Sequence, residues 1–424
     1  MIFLLLIIFV LGLILRFPIA FSLGISCCFY LILKGTPLMV IPLKMYAGID
    51  VFVLLSIPGF ILAGNLMNQG GLTDKIIQFC NHLLGHIRGG LAFVNIGASM
   101  LFAGISGTAI SDTASLGSVL IPAMKKEGYD RDFSCAITAA SSTVGPIIPP
   151  SLPMIIAATL SGLSVGKLFL AGAIPGLLLG LGLFFVAYII AQQKKYPKSK
   201  RSSINQMFVS FTNTFWALGL TILILFGIIG GVFTPTEASI VAVLYALLVG
   251  LFIYKQLNLK NILIVFLDSM KTTASLMILV GFANLFGFIL IIEQVPQTLS
   301  AEILSFTDNK YVVLLLINLL LIAVGTFMET IAALLIMFPI LLKVALAVGI
   351  EPMHFAVICV LNLIIGLTTP PVGVCLFVAS SIGKTSIGKV SKAGLPFLAV
   401  SLIVLILVSL FPELSLFLPR LMMN

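Results

Sequence analysis

The chain has 424 residues, of which 60% are hydrophobic and only 9% charged, with a mean hydropathy of +1.24. A soluble domain carries about 25% charged residues, so a water-soluble enzyme or binding module is excluded and an all-α polytopic membrane protein is expected. The net charge of +9 lies in short clusters between apolar runs, the pattern of cytoplasmic loops facing anionic membrane lipid, and nothing in it calls for nucleic acid. Six cysteines (27, 28, 80, 135, 359 and 375) form no C-x-x-C pair and read as small buried hydrophobes.

Residues 1–47 carry two apolar spans, 2–15 and 17–33, around Arg16, Pro18 and Lys34, and read as scaffold. The first run lacks a basic n-region and a clear cleavage motif, so a retained helix is expected. A third span is expected over 37–67, and a first repeat over 48–191. Between Gly70 and Gly89, His82 and His86 stand at i, i+4. Without a third ligand this pair points to an interfacial helix rather than a metal site.

Residues 90–122 are apolar but interrupted at Gly104-Ile105-Ser106-Gly107-Thr108. Each half is roughly 22 Å long as helix, short of the ~30 Å hydrocarbon core. A re-entrant hairpin with its tip at mid-membrane is therefore favoured over one kinked helix, which would overshoot. A broken helix is expected over 133–161, around Gly145-Pro146-Ile147-Ile148-Pro149-Pro150-Ser151. Its prolines remove three backbone donors and push the preceding residues out of helical geometry. Such a break at membrane depth is tolerated only where it lines a site. A span near 167–191 follows.

Lys194 to Arg201 holds five basic residues and no acid, marking 192–211 as a cytoplasmic loop. Central scaffold is expected over 212–262, with spans 212–231 and 236–254; Thr234 or Thr236 is placed to cap the second beside Glu237. A second repeat, 263–412, shows a span near 272–292 and an amphipathic stretch 294–308. Its hairpin, 311–343, is interrupted at Gly325-Thr326-Phe327-Met328-Glu329-Thr330, and its broken helix, 353–382, at Gly366-Leu367-Thr368-Thr369-Pro370-Pro371. A last span, 393–411, precedes a tail, 413–424.

Positions 145 and 366 differ by 221, and the same offset relates Pro149 to Pro370, Gly104 to Gly325, Gly128 to Gly349, Gly162 to Gly383 and Pro175 to Pro396. Lys75, Arg88, Lys125, Lys126 and Arg131 surround the first hairpin, whereas Glu302, Asp308 and Glu351 accompany Lys310 and Lys343 around the second. Basic-rich ends of one half thus match basic-poor ends of the other, so the repeats are expected to be inverted. Inverted repeats of this kind bring half-helix ends together near the midplane. Freed carbonyls there suit a hard cation such as Na⁺, and helix N-termini suit a carboxylate. Intramembrane acids are scarce, against a proton relay; the exceptions are Asp112 and Glu329. No span shows the polar stripe a channel needs, and neither a nucleotide-binding G-x-x-x-x-G-K-[ST] nor a metallohydrolase or serine-hydrolase motif is present in a usable context. The expectation is a secondary transporter, not an enzyme. The alternative is a channel-like or proton-coupled organic-anion carrier.

Gly104 to Thr113, Gly145 to Ser151, Phe233-Thr234-Pro235-Thr236-Glu237-Ala238 and Gly366 to Gly373 resemble the large membrane subunit (DctM-type) of tripartite ATP-independent periplasmic (TRAP) transporters, over essentially the whole chain. The resemblance implies an elevator-type, Na⁺-driven importer of organic acids (sialic acid, a sugar acid or a C4-dicarboxylate) in a bacterial inner membrane. It also implies a periplasmic substrate-binding protein (DctP/SiaP-type) and a small four-helix membrane subunit (DctQ/SiaQ-type) as partners. Carried over by position, one Na⁺ site involves Ser106, Gly145, Ile148 and Pro150, and a second Gly325, Gly366, Thr369 and Pro371. Gly107, Thr108, Ser142, Thr143, Met328, Glu329 and Thr330 are the candidate substrate-contacting residues. Phe327-Met328-Glu329 is bulkier than its counterpart Ser106-Gly107-Thr108, which bears on substrate choice at the second tip. A single cysteine placed at Lys198 should be labelled by an impermeant maleimide from the cytoplasmic side only; labelling of intact cells from outside would reverse the orientation.

Overall fold

The computed structural model describes residues 1–15, 17–102, 107–199, 201–307 and 309–423. The described residues form α1 (Ile2–Ile14), α2 (Ile19–Leu33), α3 (Val40–Ile49), α4 (Ser56–Gln69) and α5 (Leu72–Leu84). The first hairpin is α6 (Gly90–Phe102) and α7 (Ala109–Lys126), and the first broken helix is α8 (Arg131–Ser141) and α9 (Leu152–Ser161). Then come α10 (Val165–Gln193), α11 (Ile204–Ile229), α12 (Pro235–Leu248), α13 (Leu259–Ile292) and α14 (Val295–Phe306). The second hairpin is α15 (Lys310–Phe327) and α16 (Thr330–Ala347), and the second broken helix α17 (Pro352–Gly366) and α18 (Val374–Gly383), followed by α19 (Ile387–Leu410) and α20 (Glu413–Met422). Eight of the described helices are long and apolar enough to cross a membrane. Neither double-proline break is bridged by helix, and both Pro-Pro peptide bonds are cis.

The 221-residue offset reappears in the elements: α7 and α16 share it at both ends, and α8 and α17 share it at their starts. Thr108 caps α7 by accepting from Ser111 N at 3.3 Å. Its equivalent, Glu329, caps α16 by accepting from Ile331 N at 2.9 Å and Ala332 N at 3.2 Å. At the outer ends, the N-cap acids Asp130 and Glu351 are also equivalents. Asp130 pairs with Lys194 and accepts from Tyr196 Oη at 2.8 Å, while Glu351 pairs with Arg420 at 3.1 Å. Packing then crosses between the repeats: α7 lies against α8 and α18, and α16 against α17 and α9.

Three expectations about boundaries are corrected. The region 37–67, expected to contain one span, is divided: α3 ends at Ile49, Val51 is extended (φ −122°, ψ 120°), and a 3₁₀ turn, Phe52–Leu55, leads into α4. Pro58-Gly59 lies inside α4, where a proline in the first turn has no intrahelical donor to lose. The span expected near 272–292 begins at Leu259, because Asn258 Oδ1 caps it by accepting from Asn261 N (2.8 Å), and Asp268 and Lys271 pair on its exposed face at 3.3 Å without ending the helix. At about 50 Å, α13 is longer than the hydrocarbon core. The expected tail is the amphipathic helix α20, packed on α10 and α17.

Each hairpin is tied to its broken helix by amides and hydroxyls buried among apolar side chains. Asn95 on α6 donates to Thr138 Oγ1 (2.6 Å) and accepts from Ser141 Oγ (3.1 Å), to which Ser99 Oγ also donates (3.0 Å). On the other side, Asn362 Nδ2 donates to the carbonyl (3.0 Å) and Oδ1 (2.7 Å) of Asn318 on α15, and Asn318 Nδ2 donates to Ser409 Oγ (3.1 Å) on α19. Ser141 and Asn362 are repeat equivalents, one helical turn before Gly145 and Gly366. Hydrogen bonds between membrane helices contribute about 0.6 kcal/mol each on average, up to about 1.7. Asn362→Leu should therefore lower the unfolding midpoint in detergent measurably, with Asn318→Leu adding little to it in the double variant; full additivity would show that the two amides do not act as one clamp.

Candidate functional site: two junctions of hairpin tip and broken helix

At the first break α8 unwinds after Ser141, and turns run through to Ser151, which caps α9 by accepting from Met154 N (3.2 Å) and donates its hydroxyl to the Pro146 carbonyl. Ser142 Oγ and Thr143 Oγ1 donate back to the carbonyls of Thr138 (2.7 Å) and Ala140 (2.6 Å), closing the end of α8. Both residues are fully buried. Backbone donors reach the carbonyls of Ser141 and Val144, but among the described residues none reaches those of Gly145, Ile148 or Pro150. Oxygens so placed in a low-dielectric interior need a partner. The broken backbone can lie this deep because α10 offers it glycines. A Cβ on Gly172 would stand 2.6 Å from the Ile147 carbonyl oxygen, and one on Gly176 would stand 2.6 Å from the Ile148 side chain.

The first tip meets this break from two directions. A Cβ on Gly107, whose φ is +73°, would run into Leu152 at the start of α9. One on Gly145 would run into the carboxylate of Asp112, itself buried one turn into α7. Gly107 and Thr108 are half-buried at the N-terminus of α7. Ser106, assigned to the first Na⁺ set on sequence, lies outside the described residues, as does Gly104.

At the second break, turns run from Leu367, Thr369 N donates to the Gly366 carbonyl (2.9 Å), and Cys375 N to that of Leu367 (3.0 Å). Gly373 N donates to the Thr326 carbonyl (3.2 Å), stitching the broken helix to the hairpin tip. Gly325 and Gly366 touch backbone to backbone; a Cβ on Gly366 would lie 2.6 Å from Gly325 Cα and 2.7 Å from its carbonyl carbon. The structure therefore joins Gly325 and Gly366 and sets Thr369 beside them. Among the described residues no backbone donor reaches the carbonyls of Gly325, Thr369 or Pro371, whereas that of Gly366 already accepts from Thr369. Thr369 Oγ1 donates to the Ile365 carbonyl at 3.0 Å, which leaves its lone pairs free to accept.

Of the second tip's candidates, Met328 and Thr330 are buried and Glu329 half-buried. Glu329 therefore has a structural task, the cap of α16, in the place where the first tip uses a neutral threonine. Thr330 Oγ1 is a buried hydroxyl with no hydrogen-bond partner, a polar atom at the tip available to a ligand. Among the described residues no cluster of three or more His, Cys, Asp or Glu could hold a metal ion. The oxygens available are backbone and hydroxyl oxygens, the donor set of hard, weakly bound cations. The asparagines and serines of the two clamps went unremarked in the sequence, although an amide in an apolar span one turn before a repeated break was a legible signal.

Solved structures with the same fold include the YdaH transporter of Alcanivorax borkumensis (TM-score 0.63, 16% identity, 87% of each chain) and MtrF of Neisseria gonorrhoeae (TM-score 0.59, 15% identity, 88% of this chain and 83% of that one). Over residues 6–414 the sequence matches the family described as "Tripartite ATP-independent periplasmic transporter, DctM component". It is 42% identical over 408 residues to the sialic acid TRAP transporter large permease protein SiaM of Vibrio cholerae, covering 96% of both chains. It is 40% identical over 400 residues to the C4-dicarboxylate TRAP transporter large permease protein DctM of Pseudomonas aeruginosa (94% of both). It is also 39% identical over 411 residues to the isethionate TRAP transporter permease protein DctMQ of Oleidesulfovibrio alaskensis, with 96% of this chain and 65% of that one covered. The chain is a multi-pass protein of the bacterial inner membrane and a transporter subunit rather than an enzyme, and it belongs to the DctM family of TRAP transporter large permeases.

Proposed function

We propose that this subunit imports a small organic acid, driven by Na⁺. The observation that carries the reading is the pair of junctions at which a hairpin tip meets a proline-broken helix, each leaving carbonyl oxygens that no backbone donor reaches among the described residues. One Na⁺ would be held at the first junction by oxygens of Gly145, Ile148 and Pro150 with Ser106. A second would be held by those of Gly325, Thr369 and Pro371 with Gly366. The Gly366 carbonyl already serves Thr369 N, so its oxygen would be shared. Carbonyls and half-helix C-terminal ends coordinate the cation, while the N-termini of α7 and α16, close by, favour the anion. Cation binding raises the local positive potential and so raises affinity for the acid, which couples the two fluxes.

The substrate is an organic anion: the relatives are named for sialic acid, C4-dicarboxylate and isethionate, all acids. Thr330 Oγ1, Gly107, Thr108 and Met328 are the tip groups we assign to it, with Glu329 biasing its charge and size. The hairpins and broken helices, clamped together, form one block that would travel as an elevator against a scaffold of α1–α4 and α11–α13. Inverted repeats make its two end states near-equivalent. A substrate-binding protein in the periplasm would deliver the acid, and a small membrane subunit would brace the exposed apolar face of the scaffold.

In proteoliposomes holding the large and small subunits, uptake of the acid should require both an inward Na⁺ gradient and the binding protein. Uptake driven equally well by a proton gradient, or without the binding protein, would favour the proton-coupled alternative. At the second junction Gly366→Ala should abolish Na⁺-stimulated uptake at normal insertion, since even a methyl group overlaps Gly325. Gly388→Ala on α19, where a Cβ meets nothing within 4 Å, should transport normally. Unchanged Na⁺ dependence in Gly366→Ala would remove the second junction from the mechanism.

A further inference from the structure

Away from both junctions, a cavity of about 410 Å³ opens between α3 and α13 on one side and α9 and α16 on the other. Its walls are mainly apolar, with Val51, Leu160, Val280, Ile291 and Leu335 among them, and Thr159 and Asn284 as neutral polar side chains. The one charged group is Lys44 on α3, which also lines it. Lys44 Nζ sits over the ring of Phe288, 4.1 Å from its centroid, and α3 is pinned to α13 where Asn284 Nδ2 donates to the Lys44 carbonyl at 2.7 Å. Among the described residues Lys44 makes no ion pair. The unneutralised cation therefore faces a cavity that has no anion of its own.

Depth narrows the chemistry. Lys34 pairs with Glu293 just past the end of α13, and charged pairs on half-exposed side chains belong to the interface rather than to the hydrocarbon. Phe288, under Lys44, is five residues earlier, about 7 Å further along the axis at 1.5 Å per residue. A cation held that far below the boundary, on the edge of an apolar crevice, matches an amphiphile with its negative charge at the interface and its chain directed inward. A polyhydroxylated acid would leave its hydroxyls unpaired against these walls. Half-exposed Ile291 on the rim leaves the crevice continuous with the lipid-facing surface.

We infer that this cavity binds an anionic phospholipid, its phosphate on Lys44 and one acyl chain lying between α3/α13 and α9/α16. The chain would fill the joint between the parts assigned above to scaffold and moving block. Binding itself does not depend on that assignment and is tested without transport. The full-length chain in a zwitterionic detergent is titrated with dioleoylphosphatidylglycerol and, separately, dioleoylphosphatidylcholine, following the unfolding midpoint. A ligand that binds only the native state raises the midpoint in proportion to its affinity. Lys44→Gln should weaken phosphatidylglycerol binding about fivefold, the effect of one interfacial lysine, and leave phosphatidylcholine unchanged; Lys44→Arg should restore the difference.

Gly287 supplies a second, independent variant, because it lines the cavity and a Cβ there meets nothing within 4 Å. Gly287→Leu should fold, fill the crevice and weaken both lipids alike. The inference fails if Lys44→Gln binds phosphatidylglycerol as well as the parent, or if Gly287→Leu does. It fails equally if glycerol phosphate competes as strongly as the lipid, which would mean a free-anion site, or if a sugar acid displaces the lipid, which would make the cavity part of the transported acid's route.

Discussion

A peptide group inside a bilayer has no water to fall back on, and this constraint organises the molecule. A continuous helix meets it automatically; the two proline breaks do not. Three donors are missing at the first break, and among the described residues no backbone donor reaches several carbonyls within each break. The surrounding architecture limits that cost. Serine and threonine hydroxyls close the end of α8, Ser151 starts α9 cleanly, and Gly373 N reaches across to the second hairpin. What remains unpaired is a small set of oxygens gathered at two points, which is what a transiently bound cation requires.

Glycine makes those points possible. Gly325 and Gly366 are not flexible joints; they lie in helical segments, and their value is that two backbones can touch there. Gly172 and Gly176 play the same part on α10 for the first break. Close approach of this sort, small residues admitting another backbone, is the usual way in which membrane helices gain packing when lipid is as apolar as their side chains. A β-carbon at any of these positions would push the broken segment away from its neighbour.

Much of this was legible in the sequence, and for one reason: prolines and glycines act on the backbone locally, wherever they occur. Gly-x-x-x-Pro-Pro at 145 and 366 announces two breaks, and the shared offset announces a repeat. Other features depended on packing partners that are distant in sequence. The span expected near 272–292 starts earlier, because Asn258 caps the helix at Leu259 and Asp268 and Lys271 are paired on its exposed face. The interruption at Asp50–Val51 contains neither proline nor glycine and left no comparable mark. The clamps were hidden for the opposite reason, since an isolated asparagine means little until its partner, Thr138 or Asn318, is known to lie across from it.

The two halves also differ in a way that bears on how they share the work. The first tip is built from small residues and capped by a neutral threonine, with the carboxylate of Asp112 set back against Gly145. At the second tip, bulky Phe327 and Met328 precede a carboxylate, Glu329, that is itself the cap. Both arrangements place a carboxyl group beside a helix N-terminus, whose dipole favours its ionised form. The first places it under the broken helix, against Gly145, and the second places it at the tip itself. A carboxylate at the cap partly neutralises the dipole that would otherwise attract an anion there. On the proposed reading, the N-terminus of α7 would therefore be the stronger attractor for the substrate's acid group. The second tip, with its bulk, its acid and the free hydroxyl of Thr330, is better suited to reading the neutral remainder of the molecule.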